Sequence, residues 1–182
     1  MRVMKSKKAW LSILSLTLGI WNSSKAIFPA PAGRRLETVT HVDLGRYIGK
    51  WYEIARYPNR FEKSCDRSVA AEYATQPNGK ISVLNSCLRP DGKEKKSKGT
   101  AKVVDKSTNA KLSVTFWWPF SGKYWVIDLG SNYEYAVVGE PSRKYLWILS
   151  RAASMPEDKY REITAGLAAK GYDASKLVRT KQ

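Results

Sequence analysis

Histidine is almost missing from this chain, with one residue, His41, among 182, and cysteine is limited to two, Cys65 and Cys87. His41 lies far from either thiol in sequence, so nothing has the ligand spacing of a zinc site, and no metal is expected. There is no Gly-x-Ser-x-Gly elbow of the serine-hydrolase type. Acidic side chains are half as common as basic ones, 16 against 32. Such a surplus suits nucleic acid or anionic lipid. No recognition-helix pattern, zinc spacing or RNP-like strand accompanies it, so nucleic acid is not an expected partner. No apolar run reaches the ~20 residues that a membrane-spanning helix needs.

The apolar run that does exist is short and lies near the start. Arg2, Lys5, Lys7 and Lys8 precede it, it runs from Ala9 to Trp21, and Ser24-Lys25-Ala26 follows with small residues flanking a variable one. That is the three-part pattern of a secretory signal peptide, so residues 1–26 are expected to be removed on export. Their loss takes away five basic residues and no acidic ones, reducing 32 basic residues to 27 against 16 acidic, a net charge of +11. An even cysteine count in an exported chain predicts a Cys65–Cys87 disulfide. No cysteine follows the apolar run, so no lipid anchor is expected. The periplasm, the cell envelope and the medium all fit such a chain.

Residues 27–40 contain Pro29, Pro31 and Gly33 and read as an extended leader; a single domain over 41–182 follows. Within it, short alternating runs recur between turn signals. The first, Trp51–Arg56, ends at Pro58-Asn59. Ser68–Thr75 and Lys80–Cys87 flank Pro77-Asn78-Gly79, a strong hairpin signal. The charged stretch Lys93 to Lys98 leads into Gly99–Val104. Lys111–Trp118 is followed by two breakers, Pro119 and Gly122, and then Lys123–Leu129. Glu134–Gly139 and Tyr145–Ser150 complete eight strands. Short connections imply antiparallel neighbours, and eight such strands can close on themselves. Ser154 then reads as a helix cap, Tyr160, Ile163 and Leu167 recur at helical spacing, and Gly171 stops the pattern.

Leu112, Val114, Phe116 and Trp118 share one face of their strand. Tyr145–Ser150 is apolar on both faces, with Tyr145, Trp147 and Leu149 on one side and Leu146 and Ile148 on the other. That needs two apolar environments. A barrel lumen with a helix outside would supply them, and so would the filled core of a β-sandwich.

The string Asp43-Leu44-Gly45-Arg46-Tyr47-Ile48-Gly49-Lys50-Trp51-Tyr52-Glu53-Ile54-Ala55-Arg56 resembles the first signature of the lipocalin family, whose Gly-x-Trp is met by Gly49 and Trp51. Tyr145-Leu146-Trp147-Ile148-Leu149-Ser150-Arg151 is similar to the third signature, a strand ending in arginine. The middle signature, Thr-Asp-Tyr, is reduced to Ser131-Asn132-Tyr133. Both outer matches are similar to bacterial outer-membrane lipocalins and their apolipoprotein D-like relatives.

The resemblance implies an all-β fold, an eight-stranded antiparallel up-and-down barrel with one C-terminal α-helix packed outside. It implies that Arg151 covers the indole of Trp51 at the barrel base. By the same strand matching, Val83, Asn85, Val114, Phe116, Tyr124, Val126, Tyr145 and Trp147 point into the lumen. The implied activity is non-enzymatic binding, storage or transport of a fatty acid or lysophospholipid, with no cofactor and a role in envelope maintenance. Peripheral contact with an anionic membrane fits the charge, and either a monomer or a homodimer fits the fold. An enzyme in the same barrel is the alternative, with Glu53 or Glu72 as the acid. A haem carrier would have only His41 as axial ligand.

Overall fold

A computed structural model describes residues 35–182. The expected signal segment and leader residues 27–34 lie outside the described residues. The strands are β1 Gly49–Arg56, β2 Arg67–Thr75, β3 Ile81–Leu88, β4 Glu94–Val103, β5 Lys111–Trp117, β6 Phe120–Leu129, β7 Tyr135–Gly139 and β8 Leu146–Ser150. Each pairs antiparallel with the next, and β1 pairs with both β2 and β8, which closes the sheet into a barrel. Closure removes the exposed edges that an open sheet would leave.

Period-2 alternation fills two separate apolar layers. Inside lie Trp51, Tyr73, Ile81, Val83, Leu112, Val126, Val138 and Leu149. Outside, Ile54, Ile127, Val137, Leu146 and Ile148 meet Ile163 and Leu167 of helix α2, Glu157–Leu167. This settles the two-faced apolar strand β8: Trp147 and Leu149 face the barrel interior, and Leu146 and Ile148 face the helix. The sandwich alternative is thereby excluded. Burying Ile163 and Leu167 stabilises the docked helix by roughly 1.5–3 kcal/mol per side chain. Leu36, from the leader, is buried in the same outer layer.

Several boundaries differ from the sequence expectations. Strand β4 begins at Glu94 rather than Gly99, so the charged stretch is itself strand. Alternation makes this possible, because Glu94, Lys96 and Lys98 are exposed on the outer face. Strand β6 begins at Phe120, since only Pro119 breaks the chain; Gly122 is paired opposite Val114. Trp118 lies beyond the end of β5 and is exposed, not inward. Cys65 sits in the loop before β2 and bonds to Cys87 near the end of β3. Ser154 does not cap α2: the cap position is Pro156, with no side-chain bond, and Glu157 and Asp158 supply favourable charge in the first turn. Gly171 does end the helical segment after a short 3-10 turn.

The tail past the helix is not a loose end. Residues Val178–Arg179 form β9, paired with Ala55 and Arg56 of β1. The Ser68 N–H donates to Lys181 O at 2.7 Å. Gln182 Nε2 donates to Glu53 O of β1 and Val69 O of β2. Direct β1–β2 pairing runs only from Gly49↔Tyr73 to Tyr52↔Ala70, so the tail fills the seam where the two strands part.

Candidate functional site

The closed end of the barrel is built around Trp51. A single helical turn, α1 Leu44–Tyr47, is capped by Asp43, whose carboxylate accepts from the Gly45 and Arg46 N–H groups. It lays Tyr47 beneath the lumen, and Trp51 Nε1 donates to Tyr47 O at 2.8 Å. The guanidinium of Arg151 lies 3.8 Å from the Trp51 ring centre. It also donates to the carbonyls of Arg46, Tyr47, Ile48 and Lys50. Gly49 has φ +96°, a conformation that favours glycine, and a Cβ there would press on Arg151 Nη1 at 3.3 Å. In the altered middle signature Tyr133 keeps a bond to this floor, accepting from the Asp43 N–H at 2.8 Å.

Above this floor the expected lumen residues fall on the inner face. Val83 and Val126 are buried in the inner layer, and Val114, Phe116, Tyr124 and Trp147 pack against it while only partly buried. Asn85 follows Val83 on the same face of β3 through an unbroken register, opposite Ala71 and Ser97, and is exposed. Inward-facing yet accessible side chains mean that the upper lumen is open. Phe116 lies over Gly99 of β4, where a Cβ would come within 2.8 Å of its ring. Tyr145 precedes β8 at the rim, stacked on Trp147 at 5.9 Å and 12° and set 5.6 Å from Phe61.

Two polar clusters form inside the barrel from residues that the sequence offers only singly, among them Tyr124, Glu53 and Trp147. The first is a trio of phenols. Tyr47 and Tyr124 hydroxyls are 2.8 Å apart, and Tyr73 OH donates to Tyr124 OH at 3.1 Å. Burial pushes all three upward, Tyr73 to about 12, so they remain neutral. The second is an acid–base cluster on the inner wall. Glu53 is buried, and its Oε1 accepts from Thr180 Oγ1 at 2.5 Å and from Arg56 Nη1 at 3.2 Å. Arg56 Nε also meets Glu62 at 2.9 Å, and Glu62 Oε1 accepts from Trp147 Nε1 at 3.0 Å. Burial and the Glu62 carboxylate push the Glu53 carboxyl well up from its ordinary range.

Glu72 is exposed on the outer face of β2, so Glu53 and Glu72 are not brought together. His41 is exposed ahead of α1, outside the lumen. The loop over 57–66 leans across the open end: Lys95 Nζ donates to Phe61 O and Ser64 Oγ, and the Cys65–Cys87 disulfide ties it to β3. No group of three or more His, Cys, Asp and Glu residues that would hold a metal occurs among the described residues.

Residues 42–182 match the family model described as a lipocalin-like domain. The chain is 40% identical over 157 residues to temperature-induced lipocalin-1 of Arabidopsis thaliana, covering 82% of this chain and 84% of that protein. It is 39% identical over 155 residues to outer membrane lipoprotein Blc of Escherichia coli, covering 85% and 86%. Among solved structures, insecticyanin from the tobacco hornworm Manduca sexta superposes with a TM-score of 0.68 at 24% identity, over 85% of this chain and 88% of that one. That last likeness is one of fold.

Proposed function

The chain belongs to the lipocalin family, and on that premise we propose that it is an exported carrier, not an enzyme, that holds one fatty acid or lysophospholipid in its barrel. The observation that supports this most is the set of inward-facing side chains that remain accessible, Asn85, Val114, Phe116, Tyr124 and Trp147. An apolar wall with few polar groups near its mouth suits a chain of methylenes with one hydrophilic end. With Val83, Val126 and Tyr145 these residues make up the proposed ligand site. The floor of Trp51, Gly49 and Arg151 supports the barrel without touching the ligand.

Each methylene taken from water contributes about 0.8 kcal/mol before ordering costs. Affinity therefore rises with acyl length until the lumen is full, then levels off. The test is a fluorescence titration with fatty acids and lysophospholipids of graded chain length, on wild type and Trp147→Ala. The reading requires a length-dependent signal that Trp147→Ala largely removes, together with weaker binding by calorimetry. Affinity indifferent to chain length would overturn it.

A further inference from the structure

Three of the most exposed large apolar side chains sit together. Trp117 is 69% exposed, Trp118 89% and Phe120 79%, and Trp117↔Phe120 is the last pair of the β5–β6 hairpin. Strand β5 climbs away from the closed end, so this tip stands on the rim of the open end. Phe61, 47% exposed, is on the same rim in the loop between β1 and β2. We propose that this rim is a membrane-docking surface, with Trp117, Trp118 and Phe120 seated among the lipids of an anionic bilayer and the mouth of the barrel held against it.

Several observations favour that occupant. The tip is paired up to its last residues, so its backbone is already fixed and docking orders only side chains. Tryptophan suits the boundary between headgroups and acyl chains, because its ring is apolar and its N–H is polar. Exposed basic residues accompany the tip at the open end of the barrel. Lys123 follows Phe120 by three residues on the same strand, about 10 Å along it, and is exposed. Lys98 precedes Gly99, on which Phe116 rests, and is also exposed. Arg60, Lys63, Arg89, Lys93 and Lys144 are exposed on the other three loops of the same end and outnumber the exposed acids of those loops, Asp66 and Asp91. An acidic surface is complementary to such a rim, whereas a second copy docked mouth to mouth would set these cations against themselves.

The rim is also continuous with the lumen. Phe116, on the inner face, has its ring centre 6.3 Å from that of Trp117. On the opposite side, Phe61, Tyr145 and Trp147 make an aromatic run from rim to interior. Docked in this way, the protein passes an acyl chain between bilayer and lumen without carrying it through water. That last step rests on the carrier reading; the docking itself does not.

The experiment is co-sedimentation of the protein with vesicles of phosphatidylcholine alone and of phosphatidylcholine mixed equally with phosphatidylglycerol. The wild type is expected to bind the mixed vesicles and much less the neutral ones. Trp118→Ser/Phe120→Ser, a change confined to exposed side chains, is expected to weaken that binding at least about tenfold with an unchanged circular dichroism spectrum. Lys98→Glu/Lys123→Glu is expected to weaken binding to the mixed vesicles only. Vesicles with brominated acyl chains are expected to quench wild-type tryptophan emission more than that of Trp117→Phe/Trp118→Phe. Equal sedimentation of wild type and the Ser variant overturns the proposal. So does a self-association seen by sedimentation velocity that the Ser variant abolishes while wild type ignores vesicles. A loss of affinity for monomeric fatty acid in the Ser variant, with vesicle binding intact, makes the aromatics a lid on the lumen and also overturns it. Vesicle binding as expected with no uptake of monomeric fatty acid by wild type supports docking and instead removes the carrier reading.

Discussion

Arg151 covers the face of Trp51 at 3.8 Å while its N–H groups bond four carbonyls between Arg46 and Lys50. These residues stand 100 positions apart, and the contact joins the end of β8 to the start of β1. One cation thus stacks on the floor of the barrel and caps the turn that precedes it. Its value is structural. Arg151→Ala removes a stacking contact of up to about 2 kcal/mol and charge-assisted bonds of comparable size, though part is recovered by water. The expected outcome is a loss of about 2–3 kcal/mol in urea unfolding, with fatty-acid affinity of the folded protein nearly unchanged. A large loss of affinity at equal stability would move Arg151 into the ligand site.

The Cys65–Cys87 disulfide closes a loop of 22 positions and fastens the 57–66 loop to β3. The chain-entropy relation assigns such a link roughly 3 kcal/mol. Cys65→Ser/Cys87→Ser is expected to lose about that much stability, read from the urea midpoint. Since Glu62 on this loop accepts from Trp147 Nε1, the variant is also expected to release bound ligand faster.

Which parts of this were legible beforehand follows from the range of the interactions. Strands flanking Asn78-Gly79 could be read because a turn and a period of two are local signals. The floor could be read because Gly49, Trp51 and Arg151 stand in strings long enough to be specific. Trp118 departs from the inward face that alternation predicts because β5 ends at Trp117. The tail was unreadable for a different reason. A strand of two residues has no period, and Thr180 just past it bonds Glu53, 127 positions away. The phenol trio is illegible for the same reason: Tyr47 belongs to a helical turn, Tyr73 to β2 and Tyr124 to β6, and only closure of the barrel brings them together.

Glu53 makes stability depend on pH in a predictable direction. Its carboxyl is raised in the folded protein above the ordinary 4.5, by burial first and by Glu62 second. The native state therefore keeps a proton that the unfolded chain releases. The stabilisation is complete below about pH 4.5 and is lost as pH rises through the folded value, with a slope of at most about 1.4 kcal/mol per pH unit. Glu53→Gln carries no such titration. Urea midpoints measured from pH 4 to 8 are expected to fall for wild type relative to Glu53→Gln as pH increases. A difference that stays constant across the range would show that Glu53 is not protonated in the fold.

The sharpest test of the lumen is to change its depth rather than its chemistry. Ala71 faces inward on β2, opposite Trp51 on one side and Asn85 on the other, and packs against the inner layer without being fully buried. Leucine at this position adds three carbons to the wall while leaving the wall apolar. If the acyl chain lies against that wall, the added volume displaces an equal length of it, and the best-bound fatty acid becomes shorter by about three carbons. Short chains that never reach Ala71 keep their affinity, and long chains lose the contribution of each methylene pushed back toward the mouth. Titrating Ala71→Leu and wild type with the same graded fatty acids reads both effects at once. The expected curves coincide at the short end and separate at the long end. A uniform loss at every length would indicate a distorted fold, to be checked by thermal unfolding. Unchanged curves would place the ligand elsewhere than the lumen.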